Sequence, residues 1–199
     1  MKNIELKIYL NSFTQLIQEL NKINAKHIQH LHQVDTYYNS MFGRLKLREI
    51  NNSAYELIFY LRPDELTRKI SNYYIFDLKK ESIKTLKYRF AKTFGKLVIV
   101  EKNRDLWLYK NTRIHLDQVK TLGTFLELET VVGNKSIKYS IQEFNEIVKK
   151  LNLSKYKKEK KSYSDLLSAN KKPKANNSGT METELKVIKN ILNCSVKNG

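Results

Sequence analysis

The sequence is poor in the residues that several common classes of protein depend on. It has one cysteine, Cys194, among 199 residues, which excludes an internal disulfide framework and a multi-cysteine zinc site and is typical of a reducing compartment. No apolar run approaches the roughly 20 residues of a membrane-spanning helix, and the polar N-terminus lacks the apolar core of a signal peptide. We therefore expect a cytoplasmic protein with no membrane contact.

Glycine and proline are also scarce, so secondary structure has to be predicted from hydrophobic periodicity. Helical spacing predicts three helices, one that begins with a capping box at Ser12, one over residues 79–94, and one with a capping box at Ser140. So few helices cannot provide the crossovers of a parallel sheet, and we predict an α+β fold with a mainly antiparallel sheet. Period-two alternation predicts the strands 3–9, 33–38, 43–50, 54–62, 68–76, 96–102, 104–109, 112–119 and 124–132.

The C-terminal part of the chain differs in composition from the rest. Residues 169–180 are polar and turn-rich, which indicates a linker. Residues 181–199 contain one short amphipathic helix around Leu185, Ile188 and Leu192. We expect a domain over residues 1–168 followed by this linker and a tail, and we expect the tail to be dispensable for the stability of the domain.

Acidic residues are few compared with basic ones, 20 against 37, which gives a formal net charge of +17. Seven of the lysines lie within residues 149–161. Such a surface could bind nucleic acid. The basic clusters contain lysine with scarcely any arginine, however, so solvated charge is the favoured interpretation and nucleic acid is an unlikely partner.

The predicted strands place charged residues on one face of the sheet. Arg44, Lys46 and Arg48 share one face of a strand, and such a row repels itself unless an anion or a counter-charge lies over it. Carboxylates concentrate on the first strand and the last, which would adjoin in a closed barrel, and they are the oxygen ligands that Mg²⁺ and Mn²⁺ prefer. Carboxylates within a basic ring are typical of a polyphosphate site, although a solvated sheet face would show a similar alternation.

Nine short motifs occur in order along the chain. They are Asn3-Ile-Glu-Leu-Lys7, Gln33-Val-Asp-Thr-Tyr-Tyr38, Gly43-Arg-Leu-Lys-Leu-Arg48, Arg62-Pro-Asp64, Lys69-Ile-Ser71, Glu101-Lys-Asn-Arg104, Arg113-Ile-His-Leu-Asp117, Phe125-Leu-Glu-Leu-Glu129 and Ser162-Tyr-Ser-Asp-Leu-Leu167. Together they resemble the CYTH family, which includes class IV adenylyl cyclases, thiamine triphosphatases and inorganic triphosphatases, also called triphosphate tunnel metalloenzymes. The resemblance covers about residues 1–168.

The resemblance implies a fold and an activity. The implied fold is a closed eight-stranded antiparallel β tunnel with helices packed outside and charged side chains inside. The implied activity is that of a Mg²⁺- or Mn²⁺-dependent enzyme that hydrolyses a triphosphate compound or cyclises ATP to cAMP. The family motif Glu-x-Glu-x-Lys begins here with Asn3, which offers a neutral oxygen and removes one negative charge.

The resemblance also implies roles for individual residues. The implied metal ligands are Glu5, Glu127 and Glu129, with Asp117 as an additional ligand or an orienter of the nucleophile. The implied phosphate ligands are Lys7, Arg44, Lys46, Arg48, Arg62, Lys69, Lys102, Arg104 and Arg113, of which Lys7 and Arg113 join Asp117 as catalytic candidates. Further candidates for contact with the substrate, on the charged face of their strands, are Tyr60, Ser71, Tyr73 and His115.

Several alternatives stay open at this point. The substrate could be ATP, thiamine triphosphate or inorganic triphosphate, because all three present the same triphosphate group. The chain could instead be a non-catalytic module that binds polyphosphate or nucleotide, or it could bind nucleic acid through its basic exterior. His27, His30 and His32 have a spacing that suggests a metal site, but they have no carboxylate or cysteine partner nearby in sequence.

Overall fold

The computed structural model describes residues 2–61, 72–132, 136–168 and 180–196. Two short 3-10 turns, Lys80–Ser82 and Leu153–Lys155, accompany eight strands and five helices in these ranges. The strands and helices, in chain order, are β1 (Lys2–Leu10), α1 (Thr14–Lys22), β2 (Lys26–Tyr38), β3 (Arg44–Ile50), β4 (Ala54–Leu61), β5 (Asn72–Asp77), α2 (Ile83–Phe94), β6 (Lys96–Tyr109), β7 (Thr112–Val119), β8 (Gly123–Val132), α3 (Ile137–Lys150), α4 (Tyr163–Leu167) and α5 (Met181–Val196).

The strands form an eight-stranded antiparallel sheet in the order β1-β8-β7-β6-β2-β3-β4-β5, which confirms the predicted α+β class. The first strand and the last pair along their whole length, from Lys2 opposite Val132 to Leu10 opposite Thr124. The prediction that these strands adjoin is therefore confirmed, and Glu5 lies directly opposite Glu129.

The chain divides into two compact units. The first is formed by the described parts of residues 1–32 and 101–163, and the second by those of residues 33–61, 73–100 and 164–196. In the first unit the core lies between the sheet and α1 and α3. Its fully buried members include Ile8 on β1, Leu20 on α1, Ile114 on β7, Leu128 on β8 and Ile147 on α3.

The core of the second unit forms in the same way on β3 and β4. Leu47 and Phe59 alternate with the charged positions of their strands and pack against Phe90 of α2 and Ile188 of α5, all four without solvent exposure. Each unit thus has one apolar sheet face covered by helices, because alternate residues of a strand point to opposite faces. The charged residues occupy the other face.

The structure corrects several predicted boundaries. The stretches predicted as two strands, 96–102 and 104–109, form the single strand β6, and β2 begins at Lys26 rather than at residue 33. The three spaced histidines therefore lie within a strand, not between a helix and a strand. The predicted strand 68–76 can be assessed only from residue 72, where β5 begins, because residues 62–71 lie outside the described ranges.

The predicted capping box at Ser140 is also wrong. The helix α3 begins one turn earlier, where the hydroxyl oxygen of Ser136 accepts a hydrogen bond from the backbone N–H of Tyr139 at 3.2 Å. Glu143 is buried within the helix. Its carboxylate accepts hydrogen bonds from Asn111 and from the Thr112 hydroxyl, so it fixes the turn between β6 and β7 instead of the helix end.

The C-terminal helix α5 packs into the second unit. Ile188 has no solvent exposure, and the buried carboxylate of Glu184 accepts hydrogen bonds from the Ser40 hydroxyl and from the backbone N–H groups of Met41 and Phe42 at 3.1–3.3 Å. These contacts argue against the expectation that the tail is dispensable. Among the described residues, no helix has the length and apolar character needed to cross a membrane.

Ile188→Ala is expected to lower the free energy of unfolding by about 2–4 kcal/mol, because a large apolar side chain is removed from a fully buried position. Lys189→Ala, at the exposed neighbouring position of α5, is the matched control and should change stability by no more than about 0.5 kcal/mol. Urea unfolding of the two variants checks this. Equal stability of Ile188→Ala and the parent chain would show that α5 does not stabilise the second unit in solution.

Candidate active site

The strand register of the first unit brings the charged side chains together in rows. Glu5, Glu129 and Arg113 lie opposite one another on β1, β8 and β7. Lys7, Glu127 and His115 form the next row, and Asp117 of β7 lies opposite Arg104 of β6. Residues that are more than 100 positions apart in sequence thus share one patch, as the predicted alternation requires.

Asp117 is the most enclosed group of this patch, with no solvent exposure. Arg104 donates to both of its carboxylate oxygens at 2.6 Å, Lys102 lies at 3.4 Å, and the Tyr163 hydroxyl donates at 2.9 Å. Burial alone would disfavour the charged carboxylate, but Arg104 and Lys102 outweigh it and lower the pKa of Asp117. Asp117 therefore holds two cations and a tyrosine in fixed positions.

Glu127 links this ion cluster to β1. One of its oxygens lies 2.7 Å from the Arg104 guanidinium and the other lies 2.9 Å from the Lys7 ammonium. Burial opposes its ionisation, but Lys7 and Arg104 hold the pKa of Glu127 well below its usual value. Lys7 also lies 3.9 Å from the centre of the Tyr163 ring, a cation–π contact.

One group of side chains in this unit has the arrangement of a metal site. His115, Glu127 and Glu129 each offer a ligand atom, and these three atoms lie within 4.8 Å of one another. Burial and the nearby charge of Arg104 lower the pKa of His115 to about 4, so its imidazole is neutral at pH 7 and can donate a lone pair. Among the described residues, its buried Nδ1 has no hydrogen-bond partner and lies 3.7 Å from Glu129.

The other two predicted metal ligands are placed differently. Glu5 faces Glu129 across the β1–β8 register but is not part of the group with converging ligand atoms. Asp117 is bonded to Arg104, Lys102 and Tyr163 and also lies outside that group. Their metal roles stay predictions, whereas His115, taken from the sequence as a substrate contact, emerges as a candidate ligand.

In the second unit, the predicted cationic row of β3 carries its own counter-charges. Asp35 of β2, almost fully buried, accepts hydrogen bonds from Lys46 at 2.8 Å and from Arg48 at 2.7 and 2.9 Å. Arg44 is bonded to Asp165 at 2.8 Å and to the Ser164 hydroxyl at 3.1 Å. Protein carboxylates therefore reduce the repulsion within the row. The sequence left open whether a bound anion or a counter-charge of the protein does this, and the structure shows the counter-charge.

Aromatic side chains line the same face of the second unit. Tyr60 is buried and lies opposite Arg44 in the register. Tyr37 lies opposite Lys46, and the Lys46 ammonium is 5.4 Å from the centre of the Tyr37 ring. Burial and the nearby charge of Asp35 raise the pKa of Tyr37. The sequence analysis gave neither Tyr37 nor Asp35 a role of its own, although the register places both opposite the cationic row.

Some predicted site residues cannot be placed. Arg62, Lys69 and Ser71 lie outside the described residues, and for Tyr73 only the backbone, within β5, is described. Their predicted contacts with the substrate stay predictions. Tyr163 and Asp165 were quoted from the sequence only as part of a motif, and their polar contacts to Asp117 and Arg44 come from the structure.

Comparison with known proteins shows the family of this chain. The family model of the CYTH domain matches residues 1–163. The chain belongs to the CYTH family. The match ends at the first residue of α4, and α5 lies beyond it.

Individual CYTH relatives are distant in sequence. A protein of Methanocaldococcus jannaschii named "Putative adenylate cyclase MJ0240" is 25% identical over 175 residues, covering 83% of this chain and 98% of that protein. The solved structure of the PH1012 protein from Pyrococcus horikoshii superimposes with a TM-score of 0.71 at 23% identity and covers 82% of this chain and 98% of its own. A solved structure from Hippeastrum, described as "Putative adenylyl cyclase HpAC1", gives a TM-score of 0.64 at 15% identity and covers 86% of this chain and 97% of its own. These structural similarities show the shared fold.

Proposed function

We propose that this CYTH protein is a divalent-metal-dependent enzyme that cleaves a triphosphate compound, with hydrolysis as its main reaction. The observation that carries the proposal is the convergence of His115, Glu127 and Glu129 beside the cations Lys7, Arg104 and Arg113. Two carboxylates and a neutral imidazole can hold a metal ion, and the adjacent cations can bind phosphate oxygens that the ion does not contact.

The charges of the first unit support a role for a metal ion. Among its described residues, the charged face carries four cations and four carboxylates, so on formal charge these groups alone do not attract a polyanion. A bound divalent ion would make this face net positive and allow it to accept a triphosphate. The eight groups are Lys7, Lys102, Arg104 and Arg113 against Glu5, Asp117, Glu127 and Glu129.

The residues present fit Mg²⁺ or Mn²⁺. Glu127, Glu129 and His115 would hold the ion, with Glu5 and Asp117 as the further ligands that the family resemblance implies. The imidazole nitrogen of His115 favours Mn²⁺, because Mg²⁺ prefers an all-oxygen shell. When bound, such an ion polarises phosphoryl oxygens and neutralises charge that develops on them.

The side chains of this protein would act mainly by position and charge. Lys7 and Arg113, which pair with Glu127 and Glu129, would contact phosphate oxygens beside the metal ion. Asp117, which bonds to Arg104 and Lys102, would act as a positioning residue for these two cations. Arg44, Lys46 and Arg48 of the second unit are proposed as further phosphate ligands, as are Arg62 and Lys69. Phosphoryl transfer needs little covalent participation by the enzyme, so such contacts can provide most of the rate acceleration.

Cyclisation of ATP is the second candidate reaction. In this reaction the ribose 3′-hydroxyl attacks the α-phosphorus and displaces pyrophosphate, whereas in hydrolysis water attacks the triphosphate and releases phosphate or pyrophosphate. The Methanocaldococcus jannaschii relative is named as an adenylate cyclase, which favours this candidate. The description of the Hippeastrum protein reports a dominant triphosphatase activity, which favours hydrolysis as the main reaction.

The decisive experiment incubates the purified chain with ATP, thiamine triphosphate or inorganic triphosphate and with Mg²⁺, Mn²⁺ or EDTA. Products are identified by chromatography. Metal-dependent release of phosphate, or of pyrophosphate without cAMP, supports a triphosphatase, and cAMP formed together with pyrophosphate supports a cyclase. Binding of a triphosphate without any metal-dependent product would contradict the proposal and favour a non-catalytic binding module.

Lys46→Met is expected to weaken the binding of inorganic triphosphate by about 10-fold or more, because one charge-assisted contact is lost. The fold should tolerate the change, since Asp35 keeps both hydrogen bonds from Arg48. Calorimetric titration with inorganic triphosphate, beside a thermal melt, measures both effects.

The matched control for Lys46→Met is Lys87→Met. Lys87 belongs to α2 of the same unit and pairs with Glu49 of β3, on the sheet face that α2 covers. This control should leave the affinity for triphosphate unchanged. If Lys46→Met also left it unchanged, the row on β3 would be only an internal ion-pair network.

A further inference from the structure

Glu184 of α5 is a buried carboxylate that the proposed reaction does not use. It is 6% exposed, and it accepts hydrogen bonds from the Ser40 hydroxyl at 3.1 Å and from the backbone N–H groups of Met41 and Phe42 at 3.3 and 3.2 Å. All three donors belong to residues 39–43, the connection between β2 and β3. An ionised carboxylate forms stronger hydrogen bonds than a neutral acceptor, so Glu184 fixes the conformation of this connection.

The connection is also held at its two ends. The backbone N–H of Asn39, its first residue, donates to the carbonyl oxygen of Gly95 at 3.0 Å. The backbone N–H of Gly43, its last residue, donates to the Ser40 hydroxyl oxygen at 3.1 Å. Because the same hydroxyl donates to Glu184, it links the carboxylate of α5 to the residue that directly precedes β3.

Gly43 couples the connection to the first residue of β3. A Cβ at this position would lie 2.6 Å from the backbone carbonyl oxygen of Tyr60, so the two backbones can approach this closely only with a glycine here. The next residue, Arg44, begins β3 and lies opposite Tyr60 in the register. A change in the connection therefore moves the start of β3, and the place of Arg44 depends on the conformation that Glu184 fixes.

The guanidinium of Arg44 is held by a different element. It donates to the Ser164 hydroxyl at 3.1 Å and to the Asp165 carboxylate at 2.8 Å, and both residues belong to α4. Within the second unit, α4 thus holds the side chain of Arg44 while α5 holds the backbone that leads into it. Both contacts serve the same purpose, because a charge-assisted hydrogen bond to a phosphate oxygen needs the cation at a defined place.

We propose that Glu184 is a positioning residue for triphosphate binding and acts on Arg44 through the connection between β2 and β3. The inference rests on the proposed function, because it takes Arg44 as one of the phosphate ligands. The CYTH family model matches residues 1–163, and α5 lies beyond them. This chain therefore orients a cation of its charged face with a helix outside the matched region.

The sign of the effect separates positioning from simple electrostatics. Removal of a negative charge makes a site more attractive to a polyanion, so Glu184→Gln would tighten triphosphate binding if only charge mattered. We expect instead that Glu184→Gln binds inorganic triphosphate about 5-fold more weakly, because the amide NH₂ group of glutamine would face donors of the connection. Glu182→Gln is the matched control. It makes the same chemical change at an exposed position of the same helix turn and should not weaken binding.

A second background identifies the residue through which Glu184 acts. Arg44→Met alone should weaken triphosphate binding, and adding Glu184→Gln to it should cause no further loss. Ser40→Ala removes the hydroxyl that links the carboxylate to Gly43 and leaves α5 unchanged, so it should weaken binding in the same direction. If Glu184→Gln does not fold, Ser40→Ala in both backgrounds makes the same comparison. Calorimetric titration of the full chain with inorganic triphosphate, below the melting temperature of each variant, measures the affinities.

Two results would overturn the inference and leave the proposed function intact. One is unchanged or tighter binding in both Glu184→Gln and Ser40→Ala, which would make Glu184 only a stabilising contact of α5. The other is an equal loss of affinity from Glu184→Gln with and without Arg44, which would show that the effect does not pass through Arg44. A parent chain that bound no triphosphate would be a different result, because it would contradict the proposed function and the inference together.

Discussion

Glu129→Gln is expected to abolish metal-dependent turnover, with a loss of at least about 100-fold in rate, because a charged ligand of the proposed ion becomes a neutral amide. Glu129 is also the carboxylate that lies nearest to the unpartnered nitrogen of His115, at 3.7 Å. The binding of triphosphate itself should stay intact or become tighter, since one negative charge is removed from the site. Calorimetric titration with Mn²⁺ and with inorganic triphosphate, beside activity measurements, separates these effects.

The competing explanation is that Glu129 only neutralises Arg113, which lies 3.0 Å away. In that case Glu129→Gln would lower the melting temperature strongly and leave Mn²⁺ binding unchanged, a result that would rule out the metal assignment. Glu146→Gln is the matched control. It makes the same chemical change at an exposed carboxylate that pairs with Lys110, and it should alter neither Mn²⁺ binding nor turnover.

Asp117→Asn should lower the free energy of unfolding by about 3 kcal/mol, because it leaves Arg104 and Lys102 buried with only part of their counter-charge. Glu127 still contacts Arg104, which keeps the loss from being larger. Urea unfolding measures the change in the free energy of unfolding, and mass spectrometry of the intact chain confirms that Asp117 has been replaced by asparagine.

Tyr163→Phe is the reference variant against which the stability loss of Asp117→Asn is compared. It removes one hydrogen bond to Asp117 but keeps the ring beside Lys7, so we expect a loss of about 1–2 kcal/mol. Asp117→Asn should therefore be clearly the less stable of the two. An Asp117→Asn chain within about 0.5 kcal/mol of the parent would show that the ion cluster does not stabilise the fold.

The sequence was most informative about which face each strand residue occupies. Period-two alternation correctly placed Arg113, His115 and Asp117 on one face of β7 and Ile114 and Leu116 on the other. The closed tunnel that the family resemblance implied requires the first and last strands to adjoin, and the β1–β8 register shows them paired. These features are local or follow from the requirements of a closed sheet.

Helix ends and strand ends were less predictable. The sequence analysis predicted Ser140 as the capping residue of α3, whereas the structure has Ser136 as the N-cap. The choice between them depends on Glu143, whose carboxylate is needed by the turn at Asn111 and Thr112 and is therefore not available for a capping box. A long-range contact of this kind overrides the local signal.

By itself, the sequence determined the class of fold, the family and the set of charged residues, because alternation and motif order depend only on neighbouring positions. Tertiary structure decided which of those charges oppose one another. It paired Asp35 with Lys46 and Arg48, enclosed Asp117 between Arg104 and Tyr163, and brought Asp105 to two histidines. It also seated α5 on the second unit. The physical reason is that strand register and helix packing join residues from distant parts of the chain, and the energy of an ion pair or a metal site depends on distances that sequence spacing does not contain.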